Sequence, residues 1–344
     1  MQKIEAFKEL IKNPQKVVIT THFKPDADAL GSSLALAGFL KKLNHQVNVI
    51  TPSDYPEFLN WMNGNDEVVV FERNKNNSVA LKLIREADII FCLDFSALSR
   101  INDLEIPVKE SIATKVMIDH HINPEDFAAF EFHNTKAAAT AEIIYDLIVE
   151  LGQKELIDVP IGECIYAGLM TDTGSFRHPS TTSRTHQIAG ELIDLGVNTN
   201  KIHRNIFDSF TEERLKFLGF MLSEKLKVLP EYNLAYFTVT NEELKRFNSQ
   251  TGDTEGIVNY ALTIKGIAMA AIIVERPEAI KMSFRSIESV AVNDIASVHF
   301  SGGGHKNAAG GKTEGIGLAA TEAKFLEILP LYKARLTENW AKQN

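Results

Sequence analysis

The chain has only two cysteines, Cys92 and Cys164, in 344 residues. That number excludes a disulfide framework, and both lie in apolar runs (IIFCLD and ECIYAGLM) where buried, reduced thiols are expected. It also lacks a basic surplus. Lys and Arg number 36 against 45 Asp and Glu, a net charge of −9. A protein that coats long nucleic acid non-specifically needs the opposite sign, so any nucleic-acid substrate is expected to be short and held in a local pocket. No stretch approaches the ~20 apolar residues of a membrane span. The opening MQKIEAFKELIKNPQ is amphipathic with interleaved charges and lacks the apolar core of a signal peptide, so a cytoplasmic location is expected. Internal repeats and low-complexity segments are absent.

What is present is ordinary globular material, 44% hydrophobic and 24% charged, with length for two domains. The first half alternates short apolar runs with helical spacings. Val17 to His22, Gln46 to Thr51, Glu67 to Phe71, Asp88 to Asp94 and Lys115 to Asp119 read as strands. Ala29 to Leu43, Val79 to Ala87, Ala137 to Leu151 and Pro160 to Thr171 read as helices. This alternation predicts an α/β fold with a mainly parallel sheet flanked by helices. Thr185 to Leu195 and Glu212 to Leu226 read as helices around a connection. Beyond them, Leu234 to Val239, Ile267 to Glu275 and Ile280 to Arg285 read as strands, Gly302 to Gly311 as a glycine-rich loop and Ile316 to Leu329 as a closing helix. The expected organisation is a first domain over 1–195, a linker over 196–215 and a smaller α/β domain over 216–344.

Four short motifs carry the chemistry. In THFKPDADALGSSLAL, His22, Asp26 and Asp28 follow an apolar strand and precede a helix, the place where open α/β sheets bind ligands. Imidazole nitrogen and carboxylate oxygen there suit hard or borderline dications; the competing reading is an Asp-rich helix cap. Asp94 ends ADIIFCLD. Asp119-His120-His121 follows the apolar KVMI, and adjacent side chains point apart, so one imidazole can ligate while the next faces substrate. Asp172 lies in GLMTDTGSFRH, near Arg177 and His178, and His178 is a candidate substrate contact. Four aspartates in one cleft would repel and raise one another's pKa. Two dications remove that repulsion, polarise phosphoryl oxygens and activate water.

A last element is SGGGHKNAAGG. Its consecutive glycines suggest an anion-binding nest, with Gly303, Gly304 and His305 as donors, and Arg285 in KMSFRS offers a two-pronged phosphate partner. A flexible turn with a surface histidine is the competing reading. His45, His133, His186, His203 and His299 lack ligand partners nearby in sequence and read as packing or surface residues.

With these residues in place, the chain resembles the DHH/DHHA1 phosphoesterases, in their nanoRNase/pAp-phosphatase branch. The signature is His22-x-x-x-Asp26-x-Asp28, then Asp94, Asp119-His120-His121, Asp172 and Gly302-Gly303-Gly304-His305, spanning Val17 to about Leu329. The resemblance implies that His22, Asp26 and Asp94 hold one Mn²⁺, and that Asp28, Asp94, His120 and Asp172 hold a second, with Asp94 bridging. Mg²⁺ or Co²⁺ are the alternative ions. It implies that Asp119 orients a neighbouring histidine, that His121 meets the scissile phosphate, and that Arg285 and Gly303 to His305 grip the rest of the substrate in a cleft between hinged domains. The expected activity is hydrolysis of short oligonucleotides to mononucleotides and dephosphorylation of pAp, without a long nucleic-acid groove or a membrane partner, in a chain that could pair as a homodimer. Rival expectations are a cyclic- or linear-dinucleotide phosphodiesterase, a pyrophosphatase or exopolyphosphatase, and a silent nucleotide-binding module.

Overall fold

The computed structural model describes residues 2–72, 75–287 and 289–338. Met1 and residues 339–344, which the expected domain ranges include, lie outside the described residues. The chain divides into two compact units, Met1–Ser209 and Phe210–Asn344.

The first unit is built on six parallel strands: β1 (Lys16–Thr21), β2 (Gln46–Thr51), β3 (Val69–Val70), β4 (Ile89–Leu93), β5 (Thr114–Asp119) and β6 (Phe130–His133). Their order is β3-β2-β1-β4-β5-β6, so the strand sequence reverses direction between β1 and β4. The central strands are buried on both faces. Along β1, Val17 and Ile19 join one core while Val18 joins the other; along β4, Phe91 and Cys92 divide the same way. Two-sided burial is why these strands read as continuous apolar runs rather than as alternation. The helices are α1 (Gln2–Leu10), α2 (Ala27–Lys42), α3 (Ser78–Glu86), α4 (Glu105–Glu110), α5 (Thr140–Glu150), α6 (Val159–Asp172), α7 (Ser183–Asp194) and α8 (Thr199–Phe207). The helices α2, α5 and α6 share one core with β1, β4 and β5. Their contact is close because small residues face each other: a β-carbon on Gly31 would stand 2.5 Å from the Cys164 carbonyl oxygen.

Some expectations shift. The helix expected from Ala137 starts at Thr140, because Ala139 is extended (φ −159°, ψ 157°). The stretch expected as a linker contains a helix, α8. The four-residue β6 was not anticipated; FEFH carries no strong signal beside the long apolar runs.

The second unit contains α9 (Glu212–Phe220), β7 (Leu226–Leu229), β8 (Leu234–Val239), α10 (Asn241–Arg246), α11 (Ile257–Ala261), β9 (Met269–Glu275), β10 (Ile280–Ser286), α12 (Val292–His299), β11 (Gly303–His305), β12 (Ala308–Thr313) and α13 (Leu318–Glu338). Its mixed sheet runs β11-β12-β10-β9-β8-β7, parallel only between β8 and β9. The helix expected from Glu212 to Leu226 is interrupted: after α9 the chain makes a π-helical turn over Met221–Lys225 and enters β7. The glycine-rich stretch is a hairpin, not an open loop, with Gly303 opposite Gly310 and His305 opposite Ala308. Glycine is required there by close approach, since a β-carbon on Gly302 would stand 2.0 Å from the Gly310 carbonyl oxygen. The Gly302 N–H donates to Ala296 O at 3.1 Å, which ties the start of the hairpin to α12.

Candidate active site

At the strand-order reversal, β1 and β4 run side by side and each delivers a candidate ligand just past its last residue: His22 after β1, Asp94 after β4. In open α/β sheets, ligands bind beyond the carboxyl ends of the strands at such a reversal. β5, the next strand, ends on Asp119 and hands over to His120 and His121. Asp172 arrives from elsewhere, as the last residue of α6.

Asp94 is central. Its Oδ2 lies 3.4 Å from His22 Nε2, and its Oδ1 lies 3.5 Å from His120 Nε2 and 3.7 Å from His121 Nδ1. The residue takes a left-handed backbone (φ 63°), which aspartate tolerates better than most side chains. On one side stands Asp26, whose Oδ2 is 4.0 Å from His22 Nε2. Its other oxygen caps α2 by accepting the N–H groups of Asp28 and Ala29 at 3.0 Å each. Capping thus uses one oxygen and leaves the other facing His22. On the other side, Asp172 Oδ2 lies 3.3 Å from His120 Nε2.

Each histidine has one nitrogen committed to holding the ring. His22 Nδ1 donates to its neighbour's carbonyl, Phe23 O, at 3.0 Å, and His120 Nδ1 donates to Ala137 O at 3.3 Å. Both present Nε2 to the carboxylates. His121 Nδ1 donates to Asp119 Oδ1 at 2.8 Å. Asp119 is fully buried, and its Oδ2 has no hydrogen-bond partner. The His121 side chain is 19% exposed against 6% for His120, so of the pair it is His121 that solvent and ligands can reach.

The electrostatics follow from crowding. Burial would raise the Asp94 carboxyl, but hydrogen bonds from His120 and His22 outweigh it and hold it well below the usual range. Asp28 is pushed well above that range by burial and then by the Asp94 charge, and Asp172 by burial and then by the Asp28 and Asp26 charges. Burial would lower both histidines, yet Asp94 with Asp26 raises His22 to about 9, and Asp94 with Asp172 raises His120 to about 11. Protons thus do the neutralising that cations would otherwise do. The donor chemistry fits divalent ions. His22, Asp26 and Asp94 form one group whose ligand atoms lie within 4.8 Å of one another, Asp28, Asp94 and His120 a second, and Asp94, Asp119 and His121 a third.

The family models match in order and over most of the chain: the DHH family N-terminal domain over residues 16–169 and the DHHA1 domain over residues 231–336. This chain belongs to the DHH/DHHA1 family. It is 28% identical to the Bacillus subtilis protein named bifunctional oligoribonuclease and PAP phosphatase NrnA, over 86% of this chain and 88% of that one. It is 29% identical to the probable bifunctional oligoribonuclease and PAP phosphatase NrnA of Streptococcus mutans, over 95% and 99%. Among solved structures, an exopolyphosphatase-related protein from Bacteroides fragilis superposes with a TM-score of 0.91 at 38% identity, covering 98% of both chains.

Within the DHH domain, several residues that no sequence motif marked touch the candidate ligands. Thr140 donates its N–H to Asp28 Oδ2 at 2.7 Å and its hydroxyl to Asp94 Oδ1 at 2.8 Å, and the Ala141 N–H reaches Asp28 Oδ1 at 2.9 Å. His133, read from sequence as packing, sits in register with Asp119 on β6 and hydrogen-bonds through Nε2 to the His121 carbonyl. A three-residue spacing to α5 or a strand-edge histidine carries no ligand signature, so only the fold exposes these roles. His178, the candidate substrate contact, is exposed and folds over Gly174, where a β-carbon would meet its Nε2 at 2.5 Å. His45 is a packing residue as expected, held between Ile11 O and the Gln15 N–H. In the DHHA1 domain, Arg285 lies on the β10 face opposite the buried Met282 and Phe284, and its Nη1 donates to Phe284 O at 3.0 Å.

Proposed function

We propose that this chain is a two-cation phosphoesterase that hydrolyses short oligonucleotides to mononucleotides and removes the 3′-phosphate of pAp. The observation that carries the reading is the sharing of Asp94: one carboxylate faces His22 with one oxygen and His120 with the other. The similarity to the two NrnA proteins points to the substrate class. His22, Asp26 and Asp94 would hold one ion, Asp28, Asp94, His120 and Asp172 the other, and Mn²⁺ suits this mixed imidazole and carboxylate set. When bound, such ions polarise phosphoryl oxygens, lower the pKa of water and stabilise a leaving oxygen.

The chain's own residues supply orientation and proton control. Asp119 accepts the His121 Nδ1 proton, which fixes the ring; in its doubly protonated, imidazolium form the ring would also donate from Nε2 to a phosphoryl oxygen as charge develops there. His22 and His120 are held by backbone carbonyls so that their Nε2 atoms stay aimed inward. The ranges 1–195 and 216–344 are assigned to catalysis and substrate binding respectively. Arg285, with Gly303, Gly304 and His305, is assigned to a second phosphate or the terminal nucleotide, and His178 to a peripheral substrate contact.

A second reading has its own support. The Bacteroides fragilis structure bears an exopolyphosphatase-related name at 38% identity, which favours condensed phosphates as substrate. Incubation with pAp, pApA, cyclic di-AMP, pyrophosphate and polyphosphate in Mn²⁺ separates the readings. Mononucleotide release from pApA with phosphate release from pAp is the expected result, and turnover of polyphosphate alone would overturn it.

A further inference from the structure

Helix α5 begins without a cap of its own: Ala139 in the capping position has no side chain to offer its N–H groups. The first orphan donors of a helix need acceptors, and a negative charge there is favoured. Asp28, 112 residues away in sequence, fills that role with both oxygens, taking the Thr140 and Ala141 N–H groups. Thr140 has one further proton to give. In a helix, a threonine hydroxyl commonly bonds back to a carbonyl one turn earlier. At the first position of α5 it reaches across the fold instead, to Asp94 Oδ1, and the residue is fully buried.

That bond falls on the group whose orientation matters most. Asp94 stands past the end of β4 in a left-handed conformation, where no regular element holds its side chain. The terminal torsion of an aspartate is broad. Turning the carboxylate about it would change which oxygen faces His22 and which faces His120. We propose that Thr140 is a positioning residue: its hydroxyl sets the plane of the Asp94 carboxylate so that one oxygen serves each cation group. This rests on the two-cation reading above. Ala137, three residues earlier, accepts from His120 Nδ1, so the short run into α5 orients ligands drawn from the first turn of α2 and from the ends of β4 and β5.

The test compares the full-length wild type with Thr140→Val, which keeps the shape and loses the hydroxyl, and Thr140→Ser, which keeps the hydroxyl. Calorimetric titration with Mn²⁺, melting of the metal-free protein, and kcat and KM on pApA are measured for each. Thr140→Val is expected to lose about 10–100-fold in Mn²⁺ affinity, as removal of a ligand-orienting partner does, and to lose kcat with little change in KM. Thr140→Ser is expected to restore both. If Thr140→Val melts lower but binds Mn²⁺ as the wild type does, the hydroxyl is structural only and the proposal fails. Should the Val variant not fold, Thr140→Ala is judged by the same affinity. A wild type that takes up no Mn²⁺ overturns the two-cation reading and this inference together; normal wild-type uptake with an unaffected variant overturns the positioning role alone.

Discussion

Gly168 lies against the Asp28 carboxylate: a β-carbon at Gly168 would stand 2.5 Å from Asp28 Oδ1 and 2.7 Å from the Ala141 β-carbon. Neither neighbour has room to retreat, because Asp28 and Ala141 are both fully buried and bonded to each other. Gly168→Ala is therefore expected to cost about 1–3 kcal/mol as an overpacked site and to push Asp28 off its place, weakening Mn²⁺ uptake. At Gly190 in α7 an added methyl group would find nothing within 4 Å. Gly190→Ala should be neutral or stabilising, by about 0.4–1 kcal/mol. Thermal melts and Mn²⁺ titrations of the two variants side by side check this; equal behaviour would contradict the packing argument.

Asp94 combines a charge with a left-handed backbone (φ 63°), and the two can be separated by substitution. Asp94→Ala removes both the carboxylate and the residue's tolerance of that conformation, while Asp94→Asn keeps the tolerance and removes the charge, turning one acceptor oxygen into an amide donor. Both variants should lose turnover on pApA. In the metal-free protein, Asp94→Asn should be the more stable of the two by about 1 kcal/mol, since asparagine accepts the left-handed backbone and still receives the Thr140 hydroxyl proton. Substantial activity in Asp94→Ala would remove the bridging role, and a reversed order of melting temperatures would remove the backbone argument.

How far this was legible in the sequence depends on how local each signal is. The strands β1, β4 and β5 announced themselves because burial on both faces leaves apolar runs, and acidic and imidazole residues stood out against them at the strand ends. His22, Asp26, Asp28, Asp94 and His120 were named that way, and Asp172, the last residue of α6, from the polar stretch it opens. Thr140, Ala141 and His133 were not, because each acts across the fold through one backbone or hydroxyl contact to a residue at least twelve positions away. The run from Ala137 looked helical by composition, and only the requirement to meet Asp28 and Asp94 delays the helix to Thr140. The glycine-rich stretch reads as a loop yet forms a hairpin, because consecutive glycines also permit tight strand approach, as at Gly302 and Gly304.

Burial raises both thiols, Cys92 and Cys164, to about 12. A thiol with so little thiolate, and no solvent access, is inert to disulfide reagents. Native protein at pH 8 is expected to show no reaction with a thiol-detecting disulfide such as Ellman's reagent, and two reactive thiols once unfolded. The same shift fixes a sign for stability. The folded state keeps these protons where the unfolded chain has released them, so the contribution is whole below the unfolded value near 9 and is lost as pH climbs from there through about 12. Melting temperature should fall across that alkaline window, and less so in a Cys92→Ser, Cys164→Ser variant. Rapid labelling of the native protein would show that the thiols are not sealed in.

In the metal-free chain His22 and His120, raised to about 9 and about 11, carry protons at neutral pH. A raised histidine stabilises the fold fully below its unfolded value, near 6.5, and that stabilisation is lost as pH rises through the folded value. Metal-free protein should therefore lose melting temperature from about pH 6.5 upward through the His22 range. A cation needs the same Nε2 atoms in their neutral form, so it competes with the protons. Mn²⁺ affinity is expected to rise with pH between 6 and 9, with proton release visible as a dependence of the calorimetric heat on buffer ionisation enthalpy. Saturating Mn²⁺ should also flatten the fall in melting temperature, because the ions take over the charge balance that the two imidazolium groups supply. Heats independent of buffer would mean that these nitrogens are not the atoms the ion takes.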